Sequence, residues 1–309
     1  MIMIENKNSI EDAKQVKANS IVAAKQAIEN SIVAAKQGKV NSIVAAKQGK
    51  ANSIVATKQA IESSIVATKQ AFENSFSSGD FYNKQTQDEQ HLKLILEFLP
   101  IKSGMKILDL GTGSGYLAFS IAEKYPNAFI FGLDIVEKAL EINRVKAEKQ
   151  RISNINFITY DGVNFPFDDS EFDMVVSRYA LHHFPDIEKS ISEVSRVLKS
   201  GGFLFISDPA PNADDTSQFV DEYMQLKKDG HIKFYTKDEW KQISLEAGLK
   251  FVKSFDSSIR FPKKKDTAYG FDELLKKHDR KIIESYKLKV LENEIYITEQ
   301  VNNILLCKR

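Results

Sequence analysis

The stretch Ile107-Leu108-Asp109-Leu110-Gly111-Thr112-Gly113-Ser114-Gly115 constrains this chain more than any other, because a short apolar run enters a glycine turn and leaves as a helix-forming sequence. Glycine lets the backbone take positive φ and approach a ligand closely. Further apolar runs at 128–134, 155–160, 172–177 and 202–207 read as strands apolar on both faces, as expected when helices cover both sides of a parallel sheet. Helical periodicity fills 116–124, 136–150, 187–198 and 237–247. The alternation predicts an α/β body with a doubly wound, mainly parallel seven-stranded sheet. Its last strands, 251–259 and 295–307, lie around a helical 271–285 and form an antiparallel, hairpin-like edge.

Ahead of this body the chain repeats itself. Residues 19–29, 30–40, 41–51, 52–62 and 63–73 are near copies of one another, each eleven residues long. Eleven residues come close to three helical turns, so every copy presents the same face, and the segment predicts one long helix. Ile21, Ala24, Ile28, Ile32, Ala35, Ile43, Ala46, Ile54, Thr57, Ile61, Ile65, Thr68 and Phe72 form its apolar stripe. Gly38 and Gly49 each cost about 1 kcal/mol of helix propensity and Lys39 and Lys50 interrupt the stripe, so a lone helix of this kind is marginal. Self-association as a coiled coil is the first expectation, ahead of a solvated arm or a helix lying on a membrane surface. The domain reading is a helical repeat arm over 1–75 and a body over 76–309. The hinge falls at 75–80, and Thr86 or Asp88 caps the next helix.

Three acids stand at successive strand ends, where open α/β sheets bind ligands. Asp109 lies two residues before the first glycine, too close for comfort to a pyrophosphate but well placed for a ligand that carries a cation. Asp134, nineteen residues past Gly115, is placed to accept both hydroxyls of a ribose, or to cap the helix that follows. Asp161, in Tyr160-Asp161-Gly162, is placed to accept from an adenine amino group, or to make a simple Asp-Gly turn.

At these residues the sequence resembles the class I S-adenosylmethionine-dependent methyltransferases, most closely their small-molecule, quinone-biosynthesis-like branch. The resemblance covers about 81–253 and includes Gly-Leu-Asp-Ile, Phe-Pro-Phe-Asp-Asp-Ser-Glu-Phe-Asp-Met-Val-Val-Ser, Ala-Leu-His-His-Phe-Pro-Asp and Arg-Val-Leu-Lys-Ser-Gly-Gly. It implies S-adenosyl-L-methionine as cofactor, with Asp109, Gly111, Thr112, Gly113 and Gly115 around the methionine part. Asp134 and Ile135 then belong to the ribose, Asp161 and Gly162 to the adenine, and Ser177 and Arg178 to the border between cofactor and acceptor. His182 or His183 is the candidate base for an acceptor hydroxyl or activated carbon, histidine being poised near neutral pH; packing ahead of the helix after Pro185 is the alternative. Residues 208–235 are expected as a lid or acceptor-pocket segment, helical over 216–228, with Phe219, Tyr223, Phe234 and Tyr235 lining a pocket or simply packing. The last strand of this family is reversed, as the tail suggests.

The balance of 43 Lys and Arg against 42 Asp and Glu gives a net charge of +1 and no global field for nucleic acid. An Asn/Asp-Pro-Pro-Tyr-type loop after the fourth strand is also missing. The single cysteine, Cys307, excludes an intramolecular disulfide or a thiolate metal cluster and fits a reducing compartment. With no apolar run of the ~18 residues a membrane span needs and a polar amino terminus, a cytoplasmic, homo-oligomeric enzyme acting on a small-molecule acceptor is expected, without metal, membrane span or nucleic-acid partner. The rivals are a non-catalytic S-adenosylmethionine-binding scaffold, and an NAD-dependent dehydrogenase, against which Asp109 and the missing Gly-x-Gly-x-x-Gly speak. The run Lys263-Lys264-Lys265 reads as a solvated loop.

Overall fold

A computed structural model describes residues 2–78, 88–227, 229–264 and 270–309. Contacts divide the chain into Met1–Ala60 and Ile61–Arg309. The described residues of the first unit are all helical and belong to α1 (Ile2–Ser78). Its Ile32, Val33, Ile43, Val44, Ile54 and Val55 are 49 to 67% exposed, so among the described residues of that unit these side chains are not packed against a partner. Helix α1 continues through Ser75 to Ser78, past the start of the expected hinge, whose remainder lies outside the described residues. Among the described residues no helix is long and apolar enough to cross a membrane.

The second unit is built on a mixed sheet. Its elements are α2 (Glu89–Phe98), β1 (Lys106–Leu110), α3 (Tyr116–Lys124), β2 (Phe129–Asp134), α4 (Glu137–Gln150), β3 (Ile155–Thr159), β4 (Phe172–Arg178), a 3-10 turn (Leu181–His183), α5 (Ile187–Val197), β5 (Leu198–Ala210), α6 (Phe219–Gln225), α7 (Lys237–Glu246), β6 (Leu249–Lys264), α8 (Phe271–Lys277), α9 (Arg280–Ser285), β7 (Lys289–Val290) and β8 (Glu294–Lys308). The strand order is β3-β2-β1-β4-β5-β8-β6, with β7 paired to β8. The pairs among β1 to β5 are parallel, and β8 runs antiparallel to β5, β6 and β7. The reversed last strand is as expected. The eighth, two-residue strand β7 is not, and the long β5, β8 and β6 ladders make the sheet mixed rather than mainly parallel.

Alternate residues of each central strand feed two apolar clusters. Leu108, Leu110, Val175 and Leu204 pack with Ile187, Ile191 and Val194 of α5 and Trp240 of α7. Ile107, Ile130, Met174, Val176 and Phe205 pack with Ile95 of α2, Leu117 and Ile121 of α3 and Leu140 of α4. Each such buried side chain contributes about 1.5–3 kcal/mol, which is why these positions are apolar. Asp109 of β1 is an exception at 2% exposure, and so points to function.

Boundaries moved where local chemistry intervened. Helix α5 stops at Val197, and β5 begins at once: Phe172 faces Leu198 and Met174 faces Phe203, so the residues between, with Gly201 at φ +76°, bulge out of the ladder. The expected helix over 271–285 is two helices, because Asp279 caps α9 by accepting from Lys281 N. Of the described residues in 216–228, only Phe219–Gln225 is helical. Asp88 caps α2, accepting from His91 N, while Thr86 lies outside the described residues. Lys263 and Lys264 end strand β6 instead of forming a loop, and Lys265 lies outside the described residues.

Candidate active site

The turn after β1 needs its glycines for separate reasons. Gly111 has φ +69°, and a Cβ there would overlap the side chain of Ala180. Gly115, at φ +71°, precedes α3, and a Cβ would lie 2.7 Å from the Phe119 ring. Gly113, at φ +50°, has nothing within 4 Å of the position a Cβ would take, so the space beside its Cα is open. The loop is tied to the end of β2: Gly111 N and Thr112 N donate to Leu133 O at 2.8 and 3.1 Å, and Gly113 N donates to Asp134 Oδ2 at 2.8 Å. Asp134 Oδ1 accepts from Val136 N at 2.9 Å, so this one carboxylate also starts the next helix. Burial raises its pKa against these backbone bonds. Asp109 accepts from Thr112 Oγ1 at 2.7 Å, and burial pushes its carboxyl up to about 7.

These residues wall one side of a cavity. Asp109, Gly111, Thr112, Gly113, Asp134 and Ile135 line it together with Arg178, Tyr179, Ala180, His183 and Phe184. An adjoining hollow shares Gly111, Asp134, Ile135 and His183 and adds Tyr160 and Gly162. The Arg178 guanidinium lies 4.8 Å from the Tyr116 ring and 4.0 Å from the Tyr179 ring, within cation–π range of both. Tyr179 takes φ +54°, a costly backbone for a bulky residue, and its hydroxyl meets His91 Nδ1 at 3.3 Å. His91 in turn contacts Asn303 Oδ1 at 3.0 Å and Ser257 Oγ at 3.1 Å, so α2, β8 and β6 hold the strained residue in place. His183 is 6% exposed, and neither ring nitrogen completes a hydrogen bond, although the Gly230 carbonyl approaches the ring. Burial, with the neighbouring His182, pushes His183 down to about 3.

A family model described as a methyltransferase domain matches residues 101–248, from just before β1 to the end of α7. Residues 101–248 thus resemble a methyltransferase domain. The chain is 29% identical over 152 residues to an uncharacterized methyltransferase, YcgJ, of Bacillus subtilis, which spans 49% of this chain and 59% of that protein. It is 37% identical over 110 residues to a demethylmenaquinone methyltransferase of Thermus thermophilus, covering 36% and 50%. The chain thus spans about half the length of these curated relatives. The crystal structure of YcgJ aligns with a TM-score of 0.62 at 22% identity, over 72% of this chain and 99% of that one, which is a likeness of fold. A phosphoethanolamine N-methyltransferase 2 of Haemonchus contortus, solved with S-adenosylhomocysteine bound, aligns with a TM-score of 0.53 at 19% identity, over 81% of this chain and 58% of that one.

Within residues 101–248 the adjacent histidines part company. His182 Nδ1 meets Asp208 Oδ1 at 2.9 Å, and His182 N donates to Asp208 Oδ2 at 3.1 Å, which fixes the 3-10 turn on β5. Burial pushes Asp208 up to about 8. His183 alone of the two lines the cavity. His231, held by Asp221 Oδ1 at 2.8 Å, stands 5.5 Å from His182 and 6.3 Å from His183 between ring centres. Among the described residues no group of His, Cys, Asp and Glu side chains is arranged to hold a metal.

Of the other expected residues, Gly162 borders the hollow, but Asp161 turns into its own loop. Its oxygens accept from Val163 N, Asn164 N and Asn164 Nδ2; slight burial raises its pKa, but these bonds outweigh it and lower it. Ser177 Oγ donates to Leu110 O at 2.8 Å inside the sheet, which aligns β4 with β1 rather than facing the cavity. Phe219, Tyr223 and Phe234 belong to a separate cluster with Phe271 and Tyr286. Sequence reasoning missed Thr68, Phe72, Phe76 and Tyr116, all on the cavity wall. For the two phenylalanines a signal existed: they are the first aromatic residues of the chain.

Proposed function

We propose that this protein transfers the methyl group of S-adenosylmethionine to a small-molecule acceptor by in-line displacement. The observation that carries the reading is Asp109, a carboxylate 2% exposed beside the glycine turn, where a pyrophosphate would be repelled and an ammonium drawn in. The residues fit the cofactor: the space where a side chain would stand at Gly113 is open, and Asp134 keeps acceptor capacity beyond its backbone bonds. S-adenosylmethionine supplies an activated methyl on a sulfonium. Asp109 holds the amino group, the backbone around Gly111 and Gly113 holds the carboxylate end, Asp134 holds the ribose, and Gly162 lies beside the adenine. The protein's part is orientation, which supplies several kcal/mol of such a barrier. His183, uncharged in its buried position, faces the acceptor and takes its proton where the acceptor carries one. His182 holds the turn that presents it.

Calorimetric titration with S-adenosylmethionine and S-adenosylhomocysteine, with NAD as the contrast, tests this. Binding of both sulfur nucleosides without NAD supports it, and binding of neither sinks it. Asp134→Ala is expected to weaken S-adenosylmethionine by about 1.5–3 kcal/mol, the worth of hydrogen bonds to a charged group. Unchanged affinity in a folded variant would remove Asp134 from the ribose.

We also propose that the repeat arm associates with other copies of itself, in a doubly wound enzyme whose body starts near residue 76. The support is the exposed Ile and Val series at eleven-residue spacing, too weak to stabilise a lone helix and in phase along its length. Excising residues 19–51, three whole copies, keeps the helix in phase and is expected to lower the oligomeric mass in light scattering. An unchanged mass would argue against the arm as the contact.

A further inference from the structure

The end of α1 meets the same cavity as the glycine turn. Ile65, Thr68, Phe72 and Phe76 follow at spacings of three and four, so they share one helix face. From Ile65 to Phe76 the helix rises about 16 Å, at 1.5 Å per residue. Ile65 borders the hollow walled by Tyr160 and Gly162, Phe72 and Phe76 border the part walled by Tyr116 and Arg178, and Thr68 borders both. The face therefore runs from the side assigned above to adenine to the side assigned to the transferred methyl.

The contact is close. A Cβ at Gly162 would stand 2.9 Å from Ile65 Cγ2, and one at Gly230 would overlap Thr68. Yet the join is not sealed with apolar groups alone. Thr68 is 5% exposed and its hydroxyl has no hydrogen-bond partner among the described residues. The Phe72 ring meets His183 edge to face at 5.1 Å between centres. A buried hydroxyl without a partner on the cavity wall is what a polar ligand would satisfy and mere packing would avoid.

Resting on the reading of S-adenosylmethionine as cofactor, we infer that the last repeat copy is part of the ligand site, with Ile65, Thr68 and Phe72 contacting the bound nucleoside and its methyl-transfer end. Helix α1 then roofs the ligand, and entry and exit require its last turns to move. The repeat is specialised for this only at its end. The slot of Phe72 holds Ile28, Lys39, Lys50 and Ile61 in the other copies, while the slot of Thr68 holds Ala24, Ala35, Ala46 and Thr57.

That internal similarity supplies a test in which the helix is preserved. Excising residues 63–73 brings Ile54, Thr57 and Ile61 into the places of Ile65, Thr68 and Phe72, so on this face only Phe72 changes, to Ile. Excising 41–51 leaves the site copy intact. With S-adenosylhomocysteine as probe on the full chain, we expect amide exchange over 61–78 to slow at least tenfold on binding. Thr68→Val and Phe72→Ala should each speed its dissociation at least fivefold in stopped flow. The 63–73 excision should do likewise, and the 41–51 excision should leave dissociation within twofold. Binding with unchanged exchange over 61–78 and unchanged dissociation in these variants overturns the inference and leaves the cofactor reading standing. A wild-type protein that binds no S-adenosylhomocysteine overturns both.

Discussion

Asp109→Asn is expected to weaken S-adenosylmethionine at pH 8 by about tenfold to a hundredfold, the 1.5–3 kcal/mol of a hydrogen bond to a charged group, and to remove the pH dependence of binding. In the free protein burial holds the carboxyl near 7, with the Thr112 hydroxyl bond acting the other way. An arriving ammonium selects the ionised form. Below about pH 7 a proton must therefore leave as the ligand enters, and affinity should fall by up to tenfold per pH unit between about 7 and 5. Calorimetry in buffers of different ionisation enthalpy should find proton release at pH 6 in the wild type and none in the variant. A wild-type affinity flat from pH 5 to 8 would sink the assignment. The same shift has the opposite sign for the empty fold. A carboxyl whose folded pKa is raised contributes stability that is full below its unfolded value near 4 and is lost as pH rises through about 7. The unliganded variant should thus melt higher than the wild type at pH 8, while binding worse. Stability and ligand affinity are traded at this residue.

Why Asp109 was legible while other parts of the site were not is a matter of range. A strand entering glycines leaves few conformations open, and a carboxylate amid apolar strand residues has to be explained locally. Asp134 was legible for the same reason, since a strand end, a ribose-type acid and a helix start coincide within three residues. At Asp161 the local turn chemistry that sequence offers as an alternative accounts for every polar contact the carboxylate makes. His182 and His183 could not be separated from sequence, because which of two neighbours turns inward depends on Asp208, on a strand 26 residues away. The roof over the cavity was hidden differently. Five near-identical copies carry no mark of which one meets the body, beyond the aromatic ring that appears in the last. The split of 271–285 and the early start of β5 were set by Asp279 as a cap and by Gly201 in a bulge, signals weaker than the apolar periodicity that ran through them.

His183→Gln is expected to lower turnover of a hydroxyl-bearing acceptor by about 10²–10⁴-fold, the range of general base catalysis, while S-adenosylhomocysteine affinity stays within twofold. The side chain sits beside a site that must accept a sulfonium, so a permanently charged imidazolium there would repel the donor. Burial and the neighbouring His182 and His231 keep it uncharged, whereas Asp229 and the Gly230 carbonyl favour the proton. His183, on taking the acceptor proton, would place one positive charge in the cavity in exchange for the sulfonium charge that methyl transfer consumes. Transfer therefore moves a charge within the site instead of creating one. Because His183 titrates near 3, it should impose no acid limb on kcat between pH 5 and 8; the limb near 7 in kcat/KM belongs to Asp109 and should vanish in Asp109→Asn. An acceptor amine already free of its proton needs no base. With such an acceptor His183→Gln should cost less than about tenfold, so the size of the loss, read across a radiolabelled-methyl screen of phenols and amines, reports which kind of atom receives the methyl.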